Sequence, residues 1–585
     1  MMVHRLGVYL GGRQLLFTRS TLGLSRTQTA MVLAICKVGS LPWWKTTIIY
    51  QVYPRSFKDS DGDGIGDLQG VISELQYFKY LGVETIWLSP FYSSPQVDFG
   101  YDISDLKDVD PIFGNVADFR QLVAEAKKLG LRILVDFVPN HTSDKHEWFQ
   151  RSVEKKGKYA DYYIWTDGDA LANGTRVPPN NWLSVFGGSA WMWNDRRQQF
   201  YLHQFDPLQP DLNYRNPDVR EEMLLAMRYW LEFGIDGLRM DAINHVYETT
   251  NLSLNNPLSG NDVPPDNYGY LTPLYTSYIL PETKEQIQSW QGLLDDMEKV
   301  DGKERFMVLE FYTDSNTRAQ MAEYGAHPFN MDMVDGLTVP LSAKQIMGLI
   351  AKEYKDKPES YWPTFVVGNH DKHRTPNRYG RRYVNAFNLL LLTLKGTPTT
   401  YYGEEIGMED ITLTYEQTRD PPAIKAGPDR YLEVSRDLNR SPMQWTAGYQ
   451  SGFSSSKETW LPVQENYTVY NVEAEKVDPG SYLNLYREYA SLRSLDSFKY
   501  GDIDVNIVTN DNVLSYTRSH RSERYLVAIN FGQATSTDDY SVKVNATTGT
   551  VVSNTGDDNN SLAKDSVVHL DKLTLAPGNG VVIKL

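Results

Sequence analysis

The sequence predicts an α/β protein built on a (β/α)₈ TIM barrel, with a subdomain inserted after the third strand and a C-terminal antiparallel β-sandwich. Strand-like runs alternate with amphipathic helices from Trp43 onward, which is typical of parallel strands joined by helical crossovers. Several strands end in polar, acidic segments, and this arrangement favours a barrel over a doubly wound sheet. From about Tyr500 the pattern changes to short alternating strands with turns, which indicates the β-sandwich.

The clearest elements flank the predicted insertion. Strands are predicted at 83–90, 131–140 and 235–242, where runs of β-branched and apolar residues indicate burial on both faces. Helices are predicted at 116–130 and 220–234, because apolar residues recur there at helical spacing and a glycine closes each segment.

The chain has 585 residues, which exceeds the length that one hydrophobic core usually organises, so several domains are expected. Changes of composition and periodicity mark the boundaries. The predicted parts are a leader at 1–41, a first part of the barrel at 42–139, an inserted subdomain rich in Trp, Tyr, Asn and Gly at 140–210, a second part of the barrel at 211–490 with an irregular insert at about 408–470, and the β-sandwich at 491–585.

Composition narrows the possible partners. The formal net charge of −16 argues against nucleic acid, because phosphate binding needs a basic surface. The 38 Tyr and 13 Trp side chains include flat amphipathic rings of the kind that pack against sugar faces, although most of them are expected to fill the core. The single cysteine, Cys36, excludes an intrachain disulfide and a cysteine-based metal cluster.

The first 40 residues resemble a targeting segment. They contain no Asp or Glu and carry Arg5, Arg13, Arg19 and Arg26 ahead of a short apolar run that ends at Cys36. This pattern predicts a secretory signal with a long basic front. A mitochondrial transit peptide and a misplaced start codon remain as alternatives.

Two further features favour a soluble secreted protein that does not act in a membrane. No later segment is long and apolar enough to span a bilayer, and the C-terminus lacks the hydrophobic tail of a lipid-anchor signal. Nominal N-glycosylation sequons, which can be glycosylated only in a secreted chain, occur at Asn173, Asn251, Asn466, Asn545 and Asn559.

Four segments carry chemistry at strand ends. They are DFVPNH (136–141), GLRMDAINH (237–245), MVLEFYT (307–313) and VVGNHD (366–371), and each begins as an apolar strand and ends in polar side chains. Cleavage of a glycoside with retention needs two carboxyl groups, one ionised and one protonated. Taken singly, an Asp or Glu after a strand is as often a helix cap.

In this order, the four segments resemble the α-amylase superfamily of glycoside hydrolases (family 13), over nearly the whole chain from Trp43. Further stretches resemble its oligo-1,6-glucosidase and α-glucosidase branch. These are QPDLN (209–213), GTPTTYYGEEIGM (396–408) and NRSPMQW (439–445). Two others, residues 43–67 and FGGSAWMW (186–193), are similar to the secreted maltases of insects within that branch.

The resemblance implies the roles of four residues in the reaction. Asp241 would be the nucleophile, and Arg239, two residues earlier on the same strand face, would keep that carboxylate ionised and oriented. Glu310 would be the acid/base, with a raised pKa before substrate binds. Asp371 would be a third carboxylate that grips sugar hydroxyls and steadies the distorted ring.

The resemblance also implies a set of sugar-binding residues. His141 and His370 would donate hydrogen bonds to the sugar, and Tyr101 would stack beneath its ring. Asp98 and Arg440 would hold the non-reducing end, which closes the site into a pocket and predicts removal of one terminal glucose at a time.

Three neighbouring residues refine this interpretation. Asp102 is an alternative to Asp98 as the sugar contact, but the spacing favours Asp98. Asp136 is assigned to structure at the strand end. Ala242 follows the nucleophile, where α-1,6-preferring enzymes of this branch carry valine, and its small side chain therefore favours maltose-type and sucrose-type substrates.

The segment from Asp59 to Asp67 spaces oxygen-bearing residues at alternate positions, as calcium loops do. It is not an EF-hand, because its twelfth position is Gly70 and not a bidentate glutamate. Four carboxylates this close would repel one another without a cation, although a plain Asp-Gly turn remains the alternative. The resemblance implies a structural Ca²⁺ with ligands from Asp59, Asp61, Asp63, the carbonyl of Ile65, and Asp67.

These observations predict an exo-acting retaining α-glucosidase that releases α-1,4-linked glucose from maltose, sucrose and maltooligosaccharides, with transglycosylation as a side reaction and no organic cofactor. Within the enzyme class, an α-1,6-preferring oligoglucosidase and a sucrase are the alternatives. From another class, the alternative is a non-catalytic binding or receptor protein, or the heavy chain of an amino-acid transporter.

Overall fold

The computed structural model describes the backbone of 5–10 and 13–18 and the residues 41–277, 281–358, 360–556 and 562–585. The chain divides into two compact units, Met1–Lys45 and Thr46–Leu585. In the first unit, strands Arg5–Leu10 and Arg13–Thr18 pair antiparallel. The predicted leader falls in this unit, and Cys36 lies outside the described residues.

In the described part of the chain, eight parallel strands close into a barrel, which confirms the predicted fold class. They pair in chain order, and the last strand pairs with the first. The strands are β1 (Ile49–Val52), β2 (Thr85–Leu88), β3 (Arg132–Phe137), β4 (Gly237–Met240), β5 (Phe306–Leu309), β6 (His327–Asn330), β7 (Thr364–Val366) and β8 (Thr397–Tyr401).

Helices follow the barrel strands and cover them on the outside. Both faces of the strands are therefore buried, so these strands are buried at every position and do not alternate between buried and exposed residues. The helices between β1 and β8 are Pro54–Phe57, Leu68–Ser73, Leu75–Leu81, Val116–Lys128, Glu147–Val153, Pro217–Leu231, Pro281–Asp301, Ser315–Glu323, Asp332–Asp335, Ala343–Ala351, Thr375–Tyr379 and Val384–Thr393. Those outside that range are Trp43–Thr46, Pro421–Ala426, Tyr431–Val434, Val472–Val477, Tyr482–Leu492, Asp496–Lys499 and Ser541–Val544.

The helix Val116–Lys128 shows how local sequence sets an element. The Asn115 side chain accepts hydrogen bonds from the next turn, and Asp118 accepts from the Asn115 backbone, so the two form a capping box. The buried residues Phe119, Leu122, Val123 and Ala126 recur at helical spacing, and the helix ends just before Gly130. No helix among the described residues has both the length and the apolar composition needed to cross a membrane.

Between β3 and β4 the chain forms the insertion that the sequence places at 140–210. Strands Trp191–Asn194, Gln199–Leu202 and Trp165–Thr166 make a three-stranded antiparallel sheet there. Trp182, Trp191 and Phe200 form a separate small core beneath it. A short hairpin, Asp169–Ala170 with Arg176–Val177, extends from this sheet, and another pair, Tyr92–Ser93 with Asp105–Val109, follows β2.

The C-terminal part is all-β, as predicted. Its described strands form a six-stranded antiparallel sheet and a two-stranded sheet around a core of their own. The strands are Asp502–Asp504, Val513–His520, Glu523–Asn530, Ser536–Asp538, Thr548–Asn554, Val567–His569, Leu573–Leu575 and Gly580–Lys584. The first strand begins at Asp502, and helices still occupy the boundary placed at 490–491, because Tyr482–Leu492 packs against the barrel helix Val384–Thr393.

Gly237, at the start of β4, allows close packing of the strand that carries the predicted nucleophile. A Cβ atom at this position would lie 1.9 Å from the carbonyl oxygen of Phe306 on β5.

Gly237→Ala should therefore push β4 away from β5 and destabilise the barrel by about 2 kcal/mol. The measurement is the midpoint of thermal or urea unfolding. Gly292→Ala is the control, because a Cβ there meets nothing within 4 Å and the position is helical. Equal midpoints for the two variants would contradict this account.

Candidate active site

A cavity of about 450 Å³ opens at the carboxyl ends of the barrel strands, where barrels present their functional groups. Most of the residues singled out in the sequence meet there. Those lining the cavity are Asp98, Tyr101, His141, Asp241, Glu310, His370 and Asp371. Arg239 and Arg440 lie directly behind the lining and reach it through the carboxylates described below.

Arg239 joins the two strands that carry the predicted nucleophile and acid. Its guanidinium is buried, and Nη1 is hydrogen-bonded to Oδ1 of Asp241 and, at 2.8 Å, to Oδ1 of Asp136. Its other terminal nitrogen, Nη2, lies 3.0 Å from Oε2 of Glu310. Residues 239 and 241 point to the same side because side chains alternate along a strand. One buried cation therefore holds both reacting carboxyl groups.

The pair of carboxyl groups does not ionise like exposed acids. Burial raises the pKa of Glu310 to about 8, and the charges of Asp241 and Asp371 oppose its ionisation further. Burial also raises the pKa of Asp241, to about 7, while Arg239 opposes the rise. Two ionised carboxyl groups this close together would repel each other, so the arrangement favours one ionised and one protonated group in the pair.

The hydrogen bonds of Glu310 indicate which of its oxygens can carry the proton. Oε2 accepts from the backbone N–H of Ala242 at 3.0 Å and from Arg239. The proton therefore belongs on Oε1. Ala242 adopts a left-handed conformation (φ 52°, ψ 38°), which costs a non-glycine residue about 1 kcal/mol and is typical of functional sites.

Asp371 has the opposite electrostatic environment. Burial disfavours its charge, but the positive charges of Arg436, Arg440 and Arg239 outweigh burial and hold its pKa well below the usual range. Oδ1 lies 3.0 Å from Arg440 Nη2 and 3.4 Å from Arg436 Nη1. Asp371 is therefore a permanent anion, suited to accepting hydrogen bonds from hydroxyl groups.

The two histidines are neutral and are oriented by protein partners. Burial lowers the pKa of His141 to about 3 and that of His370 well below its ordinary value. Nε2 of His370 lies 2.6 Å from Oη of Tyr101, and Nδ1 lies 2.9 Å from Nε2 of Gln51. The Tyr101 and His370 rings stack with centroids 5.2 Å apart.

Asp98 and Arg440 are predicted to hold the sugar together, but the structure places a different arginine beside Asp98 at the cavity. Asp98 Oδ1 lies 2.7 Å from Nη2 of Arg436, which lines the cavity. Arg440 is fully buried, and it donates to the carbonyl of His370 at 2.7 Å and to Asp371. Arg440 therefore supports the cavity from behind, and Arg436 is the cation at its closed end.

The correction has a local cause. Arg436 and Arg440 stand on either side of the 3₁₀ turn Asp437–Asn439, so their side chains leave the chain in different directions. Asp420 holds Arg436 at 2.6 Å, and Phe186 lies under its guanidinium at 4.8 Å. Sequence reasoning missed Arg436, which lies three residues before the segment NRSPMQW that contains Arg440.

Asp98 and Asp102 have different surroundings. Asp102 accepts from the backbone of Val97 and Asp98 and from Ser94, all within its own loop, at 2.9, 3.0 and 2.9 Å. Asp98 faces the cavity, whereas Asp102 does not line it. The geometry favours Asp98 as the sugar contact of this loop.

Gln209, from the segment QPDLN, supports two lining residues at once. Its Nε2 donates to Oδ2 of Asp98 at 3.1 Å and lies 3.2 Å from Nε2 of His141. Its Oε1 accepts from the backbone of Asp206 at 3.0 Å, which fixes the orientation of the amide. The fully buried Gln209 therefore orients Asp98 and His141 relative to each other.

Other lining residues were not singled out in the sequence. They come from the insertion, from the long loop after β4, from positions just after Glu310 and Asp371, and from the segments after β6 and β8: Val185, Phe186, Phe205, Asn244, His245, Tyr268, Pro273, Ser277, Tyr312, Asp335, Lys372 and Arg436. Tyr312 and Lys372 follow Glu310 and Asp371 closely, so strand-end position was an available signal. Tyr268 and Pro273 belong to a loop without periodic pattern, so no signal in the sequence pointed to them.

The acidic loop lies away from the cavity. Asp59, Asp61 and Asp67 each place one carboxylate oxygen within 4.8 Å of the others, a donor set that suits a hard cation. Asp63 is not in that group; burial and the charges of Asp61, Asp59 and Asp67 raise its pKa. Three of the predicted calcium ligands therefore converge in the described loop.

Comparison with protein families and with known proteins agrees with this geometry. Residues 51–501 match the catalytic domain of α-amylase and residues 507–585 match its C-terminal all-β domain. The chain is 44% identical to Maltase 1 of Drosophila virilis over 498 residues, which cover 84% of this chain and 78% of that protein. It is 42% identical to a salivary α-glucosidase of Aedes aegypti, over 84% of this chain and 86% of that protein.

Two kinds of relative fall outside the maltases. The chain is 38% identical to the amino acid transporter heavy chain SLC3A1 of Homo sapiens, over 85% of this chain and 71% of that protein. Among solved structures, it superposes on the α-glucosyl transfer enzyme XgtA with a TM-score of 0.80 at 33% identity, over 93% of this chain and 100% of that one. Trehalulose synthase MutB from Pseudomonas mesoacidophila MX-45 superposes with a TM-score of 0.80 at 31% identity, with the same coverage.

Proposed function

The chain belongs to the α-amylase family of glycoside hydrolases, and from this premise we propose that it is an exo-acting retaining α-glucosidase. Its substrates would be maltose, sucrose and short maltooligosaccharides. The observation that carries the proposal is the buried Arg239, which binds both Asp241 and Glu310 at the floor of a cavity closed at one end by Asp98 and Arg436.

In the first step, Asp241 attacks the anomeric carbon of the terminal glucose and forms a glucosyl ester. Oδ1 is held by Arg239, so Oδ2 is the attacking atom. Oε1 of Glu310 gives its proton to the glycosidic oxygen as the C–O bond breaks, and the rest of the sugar leaves as an alcohol. Asp371, as a permanent anion, binds hydroxyl groups of the glucose ring.

In the second step, Glu310 acts as a base. Its carboxylate removes a proton from a water molecule, which attacks the same carbon and releases glucose with its α configuration retained. Asp241 is regenerated as a carboxylate. A sugar hydroxyl in the place of water gives a transfer product, so transglycosylation competes at high sugar concentration.

The closed end of the cavity supports exo action. Asp98, Arg436 and Asp420 form a hydrogen-bonded wall there, with contacts of 2.7 and 2.6 Å. A substrate would therefore enter with one terminal residue against this wall. The small Ala242 beside the nucleophile supports α-1,4 over α-1,6 linkages, and the maltase and α-glucosidase names of the relatives agree with it.

Two alternatives rest on specific relatives. The similarity to a solved isomaltulose synthase of Erwinia rhapontici NX5, whose natural substrate is sucrose, favours a sucrose-directed enzyme as the second candidate, and an α-1,6-preferring oligoglucosidase is the third. The similarity to the transporter heavy chain favours a non-catalytic protein. The three carboxyl groups of Asp241, Glu310 and Asp371 line one cavity, and the pKa of Glu310 is raised. Both observations support a catalytic protein instead. Rates on maltose, isomaltose and sucrose separate the three enzymes.

We also propose that the protein is secreted, as the salivary relatives suggest. Among the sequons, Asn173, Asn251 and Asn545 are exposed and suit a glycan. The amide of Asn466 is engaged with Glu409 at 2.8 Å, which disfavours its modification. Asn559 lies outside the described residues.

The acidic loop is proposed as a structural Ca²⁺ site with ligands from Asp59, Asp61, Asp63, Ile65 and Asp67. Carboxylate oxygens of Asp59, Asp61 and Asp67 converge, and a cation would offset their repulsion. The loop immediately precedes the helix Leu68–Ser73, for which Asp67 is the N-cap. The ion would therefore stabilise the start of the barrel and take no part in the reaction.

Replacement of the nucleophile tests the proposed function. Asp241→Asn should lower the turnover of maltose by about 10⁴-fold or more, because an amide cannot form the ester. The measurement is glucose release. Asp236→Asn is the matched control, since Asp236 precedes the other end of β4 and bonds only to the backbone of Ile133 at 3.0 Å. Turnover by Asp241→Asn within tenfold of the native rate would contradict the assignment.

The pH profile tests the state of Glu310. This carboxyl must be protonated in the first step, so kcat/KM for maltose should fall as the pH rises through its pKa of about 8. Above that pKa, kcat/KM should fall about tenfold per pH unit. This basic limb of the pH profile reports the titration of Asp241 and Glu310 as a coupled pair. A basic limb below pH 6 would contradict the raised pKa. Enzyme preincubated at each pH and assayed at neutral pH controls for inactivation.

Removal of calcium tests the acidic loop. A chelator should lower the melting temperature by several degrees with little change of activity in the cold, because bound ligand stabilises the folded state. Added Ca²⁺ should restore the original value. The variant Asp61→Asn should melt at the chelated temperature and lose its response to chelator. A melting curve that the chelator leaves unchanged would contradict the proposed calcium site.

A further inference from the structure

The strand ends that carry Asp241 and Glu310 are joined by the chain that follows the nucleophile. After Asp241 the backbone turns left-handed at Ala242 and enters the 3₁₀ turn Ile243–His245. The N–H of Ala242 donates to Oε2 of Glu310 at 3.0 Å, and the N–H of Ile243 donates to the carbonyl of Glu310 at 3.2 Å. Both bonds tie the acid/base residue to the strand end of the nucleophile.

Asn244 adds a third connection, to the backbone of Tyr312, which lies two residues after Glu310. Its Nδ2 donates to the carbonyl of Tyr312 at 2.9 Å, and its Oδ1 accepts from the N–H of the same residue at 2.8 Å. A side-chain amide thus pairs with a backbone unit as a neighbouring strand would. The last ladder pair of the two strands is Met240 with Leu309, so Asn244 continues the pairing past the end of the ladder.

We propose that Asn244 is a positioning residue that fixes Glu310 relative to Asp241. Glu310 lies between Leu309, the last paired residue of β5, and Tyr312, which Asn244 holds. The backbone on both sides of the acid is therefore fixed to the strand of the nucleophile. The outcome of a retaining reaction depends on the separation of these two carboxyl groups, about 5 Å. Asn244 is buried and reaches the edge of the cavity.

The inference rests on the proposed function, and the experiment separates the two by comparing leaving groups. Maltose needs protonation of its leaving oxygen, whereas fluoride leaves α-glucosyl fluoride readily without it. Both substrates need Asp241 as the nucleophile. The ratio kcat/KM covers only the steps through formation of the ester, so a difference between the substrates reports the position of the acid.

The variant is Asn244→Leu, which keeps the side-chain shape and removes both hydrogen bonds. If Asn244→Leu folds poorly, Asn244→Ala serves as the second variant, because its smaller side chain leaves room for water to bind the Tyr312 backbone. Asn330→Leu is the matched control. Asn330 is also a buried asparagine at a strand end, where it accepts from the backbone of Asp332 at 2.9 Å, but it does not line the cavity.

We expect kcat/KM for maltose to fall by about 30-fold or more in the Asn244 variants, with less than about a 3-fold fall for α-glucosyl fluoride. In Asn330→Leu, the two substrates should change by the same factor. Equal losses on both substrates in the Asn244 variants, or no loss on either, would overturn the proposal. Failure of the native enzyme to release glucose from either substrate would instead overturn the proposed function.

Discussion

A single buried cation constrains the centre of this protein. Arg239 is enclosed by Asp136 on β3, Asp241 after β4 and Glu310 after β5. A buried guanidinium without partners would be strongly unfavourable, and so would three buried carboxyl groups without it. The ends of β3, β4 and β5 must therefore lie in one register, with Arg239 opposite Asp136. The same contacts that stabilise the barrel place Asp241, the proposed nucleophile, beside Glu310, the proposed acid.

A second guanidinium organises the closed end of the cavity. Arg436 contacts Asp98 after β2, Asp371 after β7 and Asp420 in the segment after β8. It therefore links strand ends that are distant along the chain and closes one end of the cavity. In the proposed function, Arg239 influences the ionisation of Asp241 and Glu310, and Arg436 limits how deep a substrate enters.

Much of the fold was predictable, because burial of β2, β3 and β4 on both faces leaves mostly apolar runs and the helix at 116–128 has a capping box and helical spacing. Asp241 and Glu310 were predicted from the family that their ordered segments resemble, because a strand-end position alone indicates a helix cap as often. The site was less predictable in loops. Tyr268 and Phe186 approach the cavity through contacts with distant segments, and the distinction between Arg436 and Arg440 depends on a 3₁₀ turn.

The sequence by itself therefore determined the barrel, the insertion after β3 and the all-β C-terminal part, because periodicity is a local property. It indicated the acidic residues of the candidate site through the family that its ordered segments resemble. Only the tertiary structure decided which arginine meets Asp98, that Gln209 supports both Asp98 and His141, and that Asn244 pairs with Tyr312. These contacts join residues far apart in the chain, and their partners are chosen by burial and charge balance in three dimensions. No local pattern encodes them.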